Sequence, residues 1–260
     1  MATLVKILAA GVLLTAAFFY FSQRSMIFPA PSVELPSPLP PGVEKVPLKQ
    51  GYALLLTPTR TQTEPSPLLI YTHGNAGAAI WSVNRVRTLR DAGLFVLLIE
   101  YPGYAGAPGK PSLTSIRATM LEAYDVVTAR ADIDANRVVA HGRSIGGGAV
   151  SLLAAERPVM ALGFESTFTS LADLVAEKGM PSFLLRDRFD NSSTVDTIDV
   201  PVFVYHGTQD TLIPIEHGRR LHAIATRSVF VEARCGHNDC PPPWSEFLDY
   251  LADQDRLNDR

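Results

Sequence analysis

Gly142-Arg143-Ser144-Ile145-Gly146 directly follows the apolar run Arg137–Ala140 and opens an amphipathic stretch that ends near Glu156. A serine on a tight strand-to-helix turn must adopt strained backbone dihedrals, and bulk two residues to either side would block the turn. Glycine at 142 and 146 meets that need. The chemistry on offer is nucleophilic attack by the Ser144 hydroxyl, with a helix N-terminus and the Ile145 N–H aimed at developing negative charge. Gly147 and Gly148 weaken the helix they open, which points to close packing against another element. Serine is a weak nucleophile and needs a base. His73, His141 and His206 each precede a glycine at a strand end, a place for structural hydrogen bonds. His217 and His222 fall inside a predicted helix. His237 alone lies in a loop beyond the last predicted strand, Cys235-Gly236-His237-Asn238-Asp239-Cys240, and is the expected base.

Positioning these groups falls to short apolar runs that alternate with longer amphipathic ones from about residue 45 onward. Strands are predicted at Ala53–Leu56, Leu68–Thr72, Leu94–Ile99, Arg137–Ala140, Met160–Phe164, Val200–Tyr205 and Ser228–Glu232. Helices are predicted near Ile80–Asp91, Ser112–Ala131, Ile145–Glu156, Ile215–Thr226 and Trp244–Asp253. Continuously apolar, β-branched runs suit parallel strands buried on both faces. The alternation argues for one α/β domain with a mostly parallel central sheet, whose ligands sit beyond the carboxyl ends of the strands. Thr167–Asp199 breaks the rhythm. It carries Phe168, Leu171, Leu174, Met180 and Phe183 among scattered charges and is a candidate lid. Asn191-Ser192-Ser193 matches a glycosylation sequon, a pattern too common to weigh.

With 260 residues, 47% apolar, and a net charge of −3 from 23 basic and 26 acidic side chains, the chain has neither the profile of a disordered protein nor a basic footprint for nucleic acid. Ile7 to Phe21 is apolar apart from Thr15 and Tyr20, with Lys6 before it and Arg24 after it. Extended to Leu4 it approaches the length that spans a bilayer. Phe18-Phe19-Tyr20-Phe21 stands where a signal peptidase would need small residues. Residues 1–22 are therefore expected to be a membrane anchor, with a signal segment as the alternative. The Pro-rich stretch 23–44 reads as a linker, and 45–260 as the catalytic domain.

Taken together, His73-Gly74-Asn75-Ala76-Gly77, Tyr101-Pro102-Gly103-Tyr104, His141 to Gly146, Glu165-Ser166-Thr167-Phe168-Thr169-Ser170, His206-Gly207-Thr208-Gln209-Asp210 and Gly236-His237-Asn238 make the chain resemble the α/β-hydrolase superfamily over residues 45–260. The motif set is similar to that of membrane-anchored serine hydrolases, which include protein depalmitoylases and lysophospholipid or monoacylglycerol hydrolases. The resemblance implies an α/β-hydrolase fold with a small lid and the chain order serine, acid, histidine. That order points to Asp210, after the strand Val200–Tyr205, with Glu165 as the reserve acid. It also implies Ser144 as nucleophile, His237 as base, and the N–H groups of Asn75 and Ile145 as an oxyanion hole. Cleavage of an ester or thioester of a small or acyl-chain substrate is implied, with no metal or organic cofactor. A peptidase with the same triad and an idle membrane-tethered binding protein are the rival readings. Pro102, where relatives often carry a basic residue, departs from the pattern.

The two cysteines bracket the expected base. Cys235, His237 and Cys240 do not have the spacing of a structural zinc site. A disulfide across this loop is sterically feasible and would need an oxidising compartment; two free thiols are the alternative. The disulfide reading places the catalytic domain on the extracytoplasmic side.

Overall fold

Side chains along each central strand alternate between two cores, which is why the predicted strands are apolar throughout. The computed structural model of the chain describes residues 1–60 and 63–258. Along β3 (Ser66–Thr72), Leu68 and Ile70 enter one core, while Leu69 and Tyr71 enter the other. Along β4 (Phe95–Ile99), Leu97 and Ile99 join the first, and Val96 and Leu98 the second. Helices α3 (Leu113–Thr128), α4 (Ile145–Ala154) and α7 (Glu216–Ile224) cover the first face with Ile116, Val150 and Leu221. Helices α2 (Arg87–Asp91) and α8 (Trp244–Asn258) cover the second with Leu89 and Phe247. Each such side chain contributes on the order of 2 kcal/mol by leaving water.

The described residues form one eight-stranded sheet in the order β1-β2-β4-β3-β5-β6-β7-β8, where β1 is Val43–Leu48, β2 Gly51–Leu56, β5 Ile133–Arg143, β6 Ala161–Glu165, β7 Val202–Gly207 and β8 Ser228–Ala233. β2 runs antiparallel to β1 and β4, and the remaining pairings are parallel. The mostly parallel sheet with helices on both faces is the architecture expected from the sequence. Two local expectations need correction. β1 lies outside the predicted strands, because Glu44, Lys45 and Pro47 interrupt any apolar pattern; an edge strand tolerates them, including a proline with no N–H to offer. The helix expected over Ile80–Asp91 is instead a 3-10 turn at Ala79–Ser82 and the short α2.

Between β6 and β7 the chain forms α5 (Leu171–Glu177), a 3-10 turn at Ser182–Leu184 and α6 (Asn191–Thr197). The N-terminal helix α1 (Ala2–Ile27) docks its last turns on this segment. Gln23 Nε2 donates to the Leu184 carbonyl at 3.0 Å, and the Arg186 N–H donates to Gln23 Oε1 at 2.7 Å. Arg24 grips Asp187 through two bonds of 2.7 and 3.0 Å, and Asp187 also accepts the Leu113 N–H at 2.8 Å. Asn191 is fully buried and donates to the Phe168 carbonyl and to Thr167 Oγ1, so the sequon asparagine has no room for a glycan.

The turn between β5 and α4 leaves no space for a side chain at residues 142 and 146. A Cβ on Gly142 would lie 2.2 Å from the Gly146 carbonyl oxygen, and one on Gly146 2.4 Å from that of Thr72. Both obstacles are backbone. Gly142→Ala is therefore expected to cost about 3 kcal/mol or more, as overpacking does where nothing can yield. The urea midpoint should fall accordingly, and a wild-type midpoint would show that the turn can open.

Candidate active site

Ser144 links β5 to α4 with φ 55° and ψ −124°, a strained backbone conformation for a non-glycine residue. Neighbouring elements hold it there. The Ser144 N–H donates to the Glu165 carbonyl at 2.8 Å, and its own carbonyl accepts Thr167 Oγ1 at 2.6 Å and the Gly147 N–H at 3.0 Å. Gly147 and Gly148 face Thr167 and Phe189 so closely that a Cβ on either would collide, which accounts for two glycines opening a helix.

Two loops at the carboxyl ends of the parallel strands meet over this turn. His237, in the loop after β8, places Nε2 3.1 Å from Ser144 Oγ. Its Nδ1 lies 2.7 Å from Asp210 Oδ2, in the loop after β7. Ser144, His237 and Asp210 are thus joined in one line, with Ser144 and Asp210 buried and the histidine side chain 9% exposed. Asp210 Oδ1 accepts the N–H groups of Leu212 and Ile213 at 2.9 and 2.8 Å. Burial alone would raise the Asp210 pKa. Hydrogen bonds from His206, His237 and the Ile213 N–H, with the charge of His237, outweigh it and hold the carboxyl well below the usual carboxylate range.

Asn75 follows β3 and Ile145 opens α4, whose first N–H groups have no acceptor within the helix. The Asn75 loop is pinned by Tyr104 Oη, which donates to the Asn75 carbonyl at 2.7 Å, and by Tyr101 Oη, which donates to the His73 carbonyl at 2.8 Å. Beneath it His73 pairs with the buried Glu100, 3.0 Å away.

Glu165, the reserve acid, is engaged elsewhere. Its fully buried carboxylate meets Arg85 Nη2 at 2.5 Å and Arg143 Nε at 3.2 Å, rather than His237. His141 also differs from expectation. Neither of its ring nitrogens has a hydrogen-bond partner among the described residues; the ring stacks on Tyr71 and meets Trp244 and Phe247 edge-on. Burial, with Arg85 nearby, pushes its pKa down to about 3, so it is a neutral core aromatic. His217 is buried too, between Thr169 and Glu177, and fastens α7 to the segment after β6. Cys235 and Cys240 form a disulfide with Cα atoms 5.1 Å apart, closing the histidine loop at both ends. Among the described residues, no group of three or more His, Cys, Asp or Glu side chains could hold a metal ion.

No protein-family model matches the chain. It is 32% identical over 249 residues to the uncharacterised protein Rv2307c of Mycobacterium tuberculosis, covering 91% of this chain and 86% of that one. It is 30% identical to the alpha/beta hydrolase domain-containing protein WAV2 of Arabidopsis thaliana, over 65% of this chain and 63% of that protein. Acetyl xylan esterase 1 from Thermoanaerobacterium superposes with a TM-score of 0.65 at 14% identity, covering 90% of this chain and 92% of that one. The chain has an α/β-hydrolase fold. Within an α/β hydrolase, the turn bearing Ser144 and the loops after β7 and β8 occupy the ligand-binding edge of the sheet. Arg143 and Arg85 are polar groups of this edge to which the sequence attaches no role. Their partner Glu165 is 80 residues from Arg85, and no local spacing announces such a pair.

Proposed function

We propose that this chain is a membrane-tethered serine hydrolase that cleaves carboxylic esters or thioesters of acyl-chain substrates. The line of contacts from Ser144 through His237 to Asp210 carries the proposal. In this mechanism the Ser144 hydroxyl attacks the carbonyl while His237 Nε2 takes its proton and Asp210 keeps the other proton on Nδ1. The N–H groups of Asn75 and Ile145 stabilise the oxyanion. The leaving group departs with the proton returned by His237, and water then resolves the acyl-enzyme with His237 again as base. Burial of Ser144 and Asp210, and the esterase superposition, support this reading.

Acyl-chain substrates are favoured by what surrounds the site. A cavity of about 320 Å³ lies between α1 and the segment after β6, lined by Phe19, Ile27, Leu174, Leu184, Leu185 and Leu212 among others. None of Ser144, Asp210 and His237 lines it, but Leu212 is held directly by Asp210 Oδ1. An 18-residue window of α1 has a mean hydropathy of 2.1, and the helix's apolar side chains are largely exposed. Gln23 and Arg24 tie the last turns of α1 to the segment after β6, and a cleavage beyond Arg24 would remove those bonds, which supports an anchor. The disulfide favours an extracytoplasmic catalytic domain.

Fluorophosphonate labelling of the full chain followed by peptide mapping tests the nucleophile, with the adduct expected on Ser144. A series of nitrophenyl esters tests the substrate class. Each methylene buried in an apolar groove is worth about 0.8 kcal/mol, so kcat/KM should climb up to about fourfold per carbon before levelling. A flat series would overturn the acyl-chain reading and leave the triad intact.

A further inference from the structure

Arg143 is the residue on which three parts of the site converge. Its Nη2 donates to the His237 carbonyl at 2.5 Å and to Asn238 Oδ1 at 3.0 Å. Its Nε lies 3.2 Å from Glu165 Oε1, the oxygen that Arg85 Nη2 also reaches. Its Nη1 borders the Asn75 loop, 3.4 Å from where a Cβ on Gly74 would stand. The Glu165 side chain has no exposed surface, so its charge requires partners, and the two guanidiniums supply them. Arg143 then presents its other edge to the main chain of the histidine loop. The disulfide closes that loop at its ends; Arg143 holds its middle.

We propose that Arg143 is a positioning residue for His237. By gripping the His237 carbonyl and the Asn238 side chain, it sets where the imidazole stands between Ser144 and Asp210. Glu165 and Arg85 fix the guanidinium in turn. This rests on the triad reading above, and Arg143 acts through the histidine without touching substrate. The planar guanidinium matters because its donors diverge in a fixed fork that serves Glu165 on one edge and the loop on the other; an ammonium is a single point charge.

Steady-state kinetics of the full chain in detergent, with Arg143→Lys and Arg143→Met, provide the test. Lysine keeps a positive charge beside Glu165, so this variant is expected to fold even if the methionine variant does not. Misplacing a reacting group by about 1 Å can cost about 10²-fold, so kcat should fall about 10²-fold in Arg143→Met and about tenfold in Arg143→Lys, with KM within about twofold of wild type. The His237 Nδ1 proton resonance should broaden or shift in both variants. Unchanged kcat in both, with Ser144→Ala inactive, would overturn the positioning role while the triad stands. A raised KM at constant kcat would also overturn it, marking a binding role. If the wild-type chain hydrolyses no ester, the triad reading fails, and the proton resonance decides: an unperturbed signal in Arg143→Lys overturns the proposal.

Discussion

Ser144→Ala is expected to lower ester turnover by about 10⁶-fold and to abolish fluorophosphonate labelling, while leaving the fold intact. Losing the nucleophile of such a triad costs about as much as losing all three members, because His237 and Asp210 then have nothing to activate. Residual hydrolysis, about 10³ to 10⁴ above the uncatalysed rate, would come from substrate binding and the Asn75 and Ile145 N–H groups. The fold should survive because the contacts holding residue 144 are made by its main chain: its N–H to the Glu165 carbonyl, and its carbonyl to Thr167 Oγ1. Alanine meets the same positive φ that serine does, so no new strain arises. Rates on nitrophenyl esters and circular dichroism check both halves. Wild-type turnover in this variant would place the nucleophile elsewhere.

How far the sequence foretells this geometry depends on the kind of signal each residue carries. Ser144 announces itself through a local requirement: two glycines whose absent side chains make room for the Gly146 and Thr72 carbonyls. The central strands are legible because both of their faces are buried, so nearly every position has to be apolar. β1 is not, since its outward residues answer to solvent and its stability comes from pairing with β2. His141 and His206 share a His-Gly context at a strand end, yet one ring packs among aromatics and the other donates to the Ile213 carbonyl at 2.9 Å. Packing decides between those outcomes. Glu165 is a plausible acid by position, but Arg85, from 80 residues away, and Arg143 engage its carboxylate instead. Spacing leaves the cysteine pair undecided, and the loop geometry settles it by bringing the two Cα atoms to 5.1 Å.

Asp210→Asn should cut kcat about 10⁴-fold with little change in KM, because the substitution keeps shape and reverses one hydrogen bond. The new side-chain amide would still offer its oxygen to the Leu212 and Ile213 N–H groups, so the loop after β7 retains its fold. The atom replacing Oδ2 would be an NH₂ donor facing His237 Nδ1. That contact favours the imidazole tautomer with its proton on Nε2, which cannot accept the proton of Ser144. The same carboxylate links the site to stability. Its folded-state pKa is depressed below the unfolded value of about 3.9, so its stabilisation is fully present above that pH and is lost as pH falls toward the depressed value. An amide does not titrate. Urea unfolding of wild type and variant between about pH 7 and pH 3 should therefore show their stability difference shrinking at the acid end. Retained kcat in Asp210→Asn would remove Asp210 from the triad. A stability difference independent of pH would mean that the carboxylate draws nothing from His206 and His237 in the folded chain.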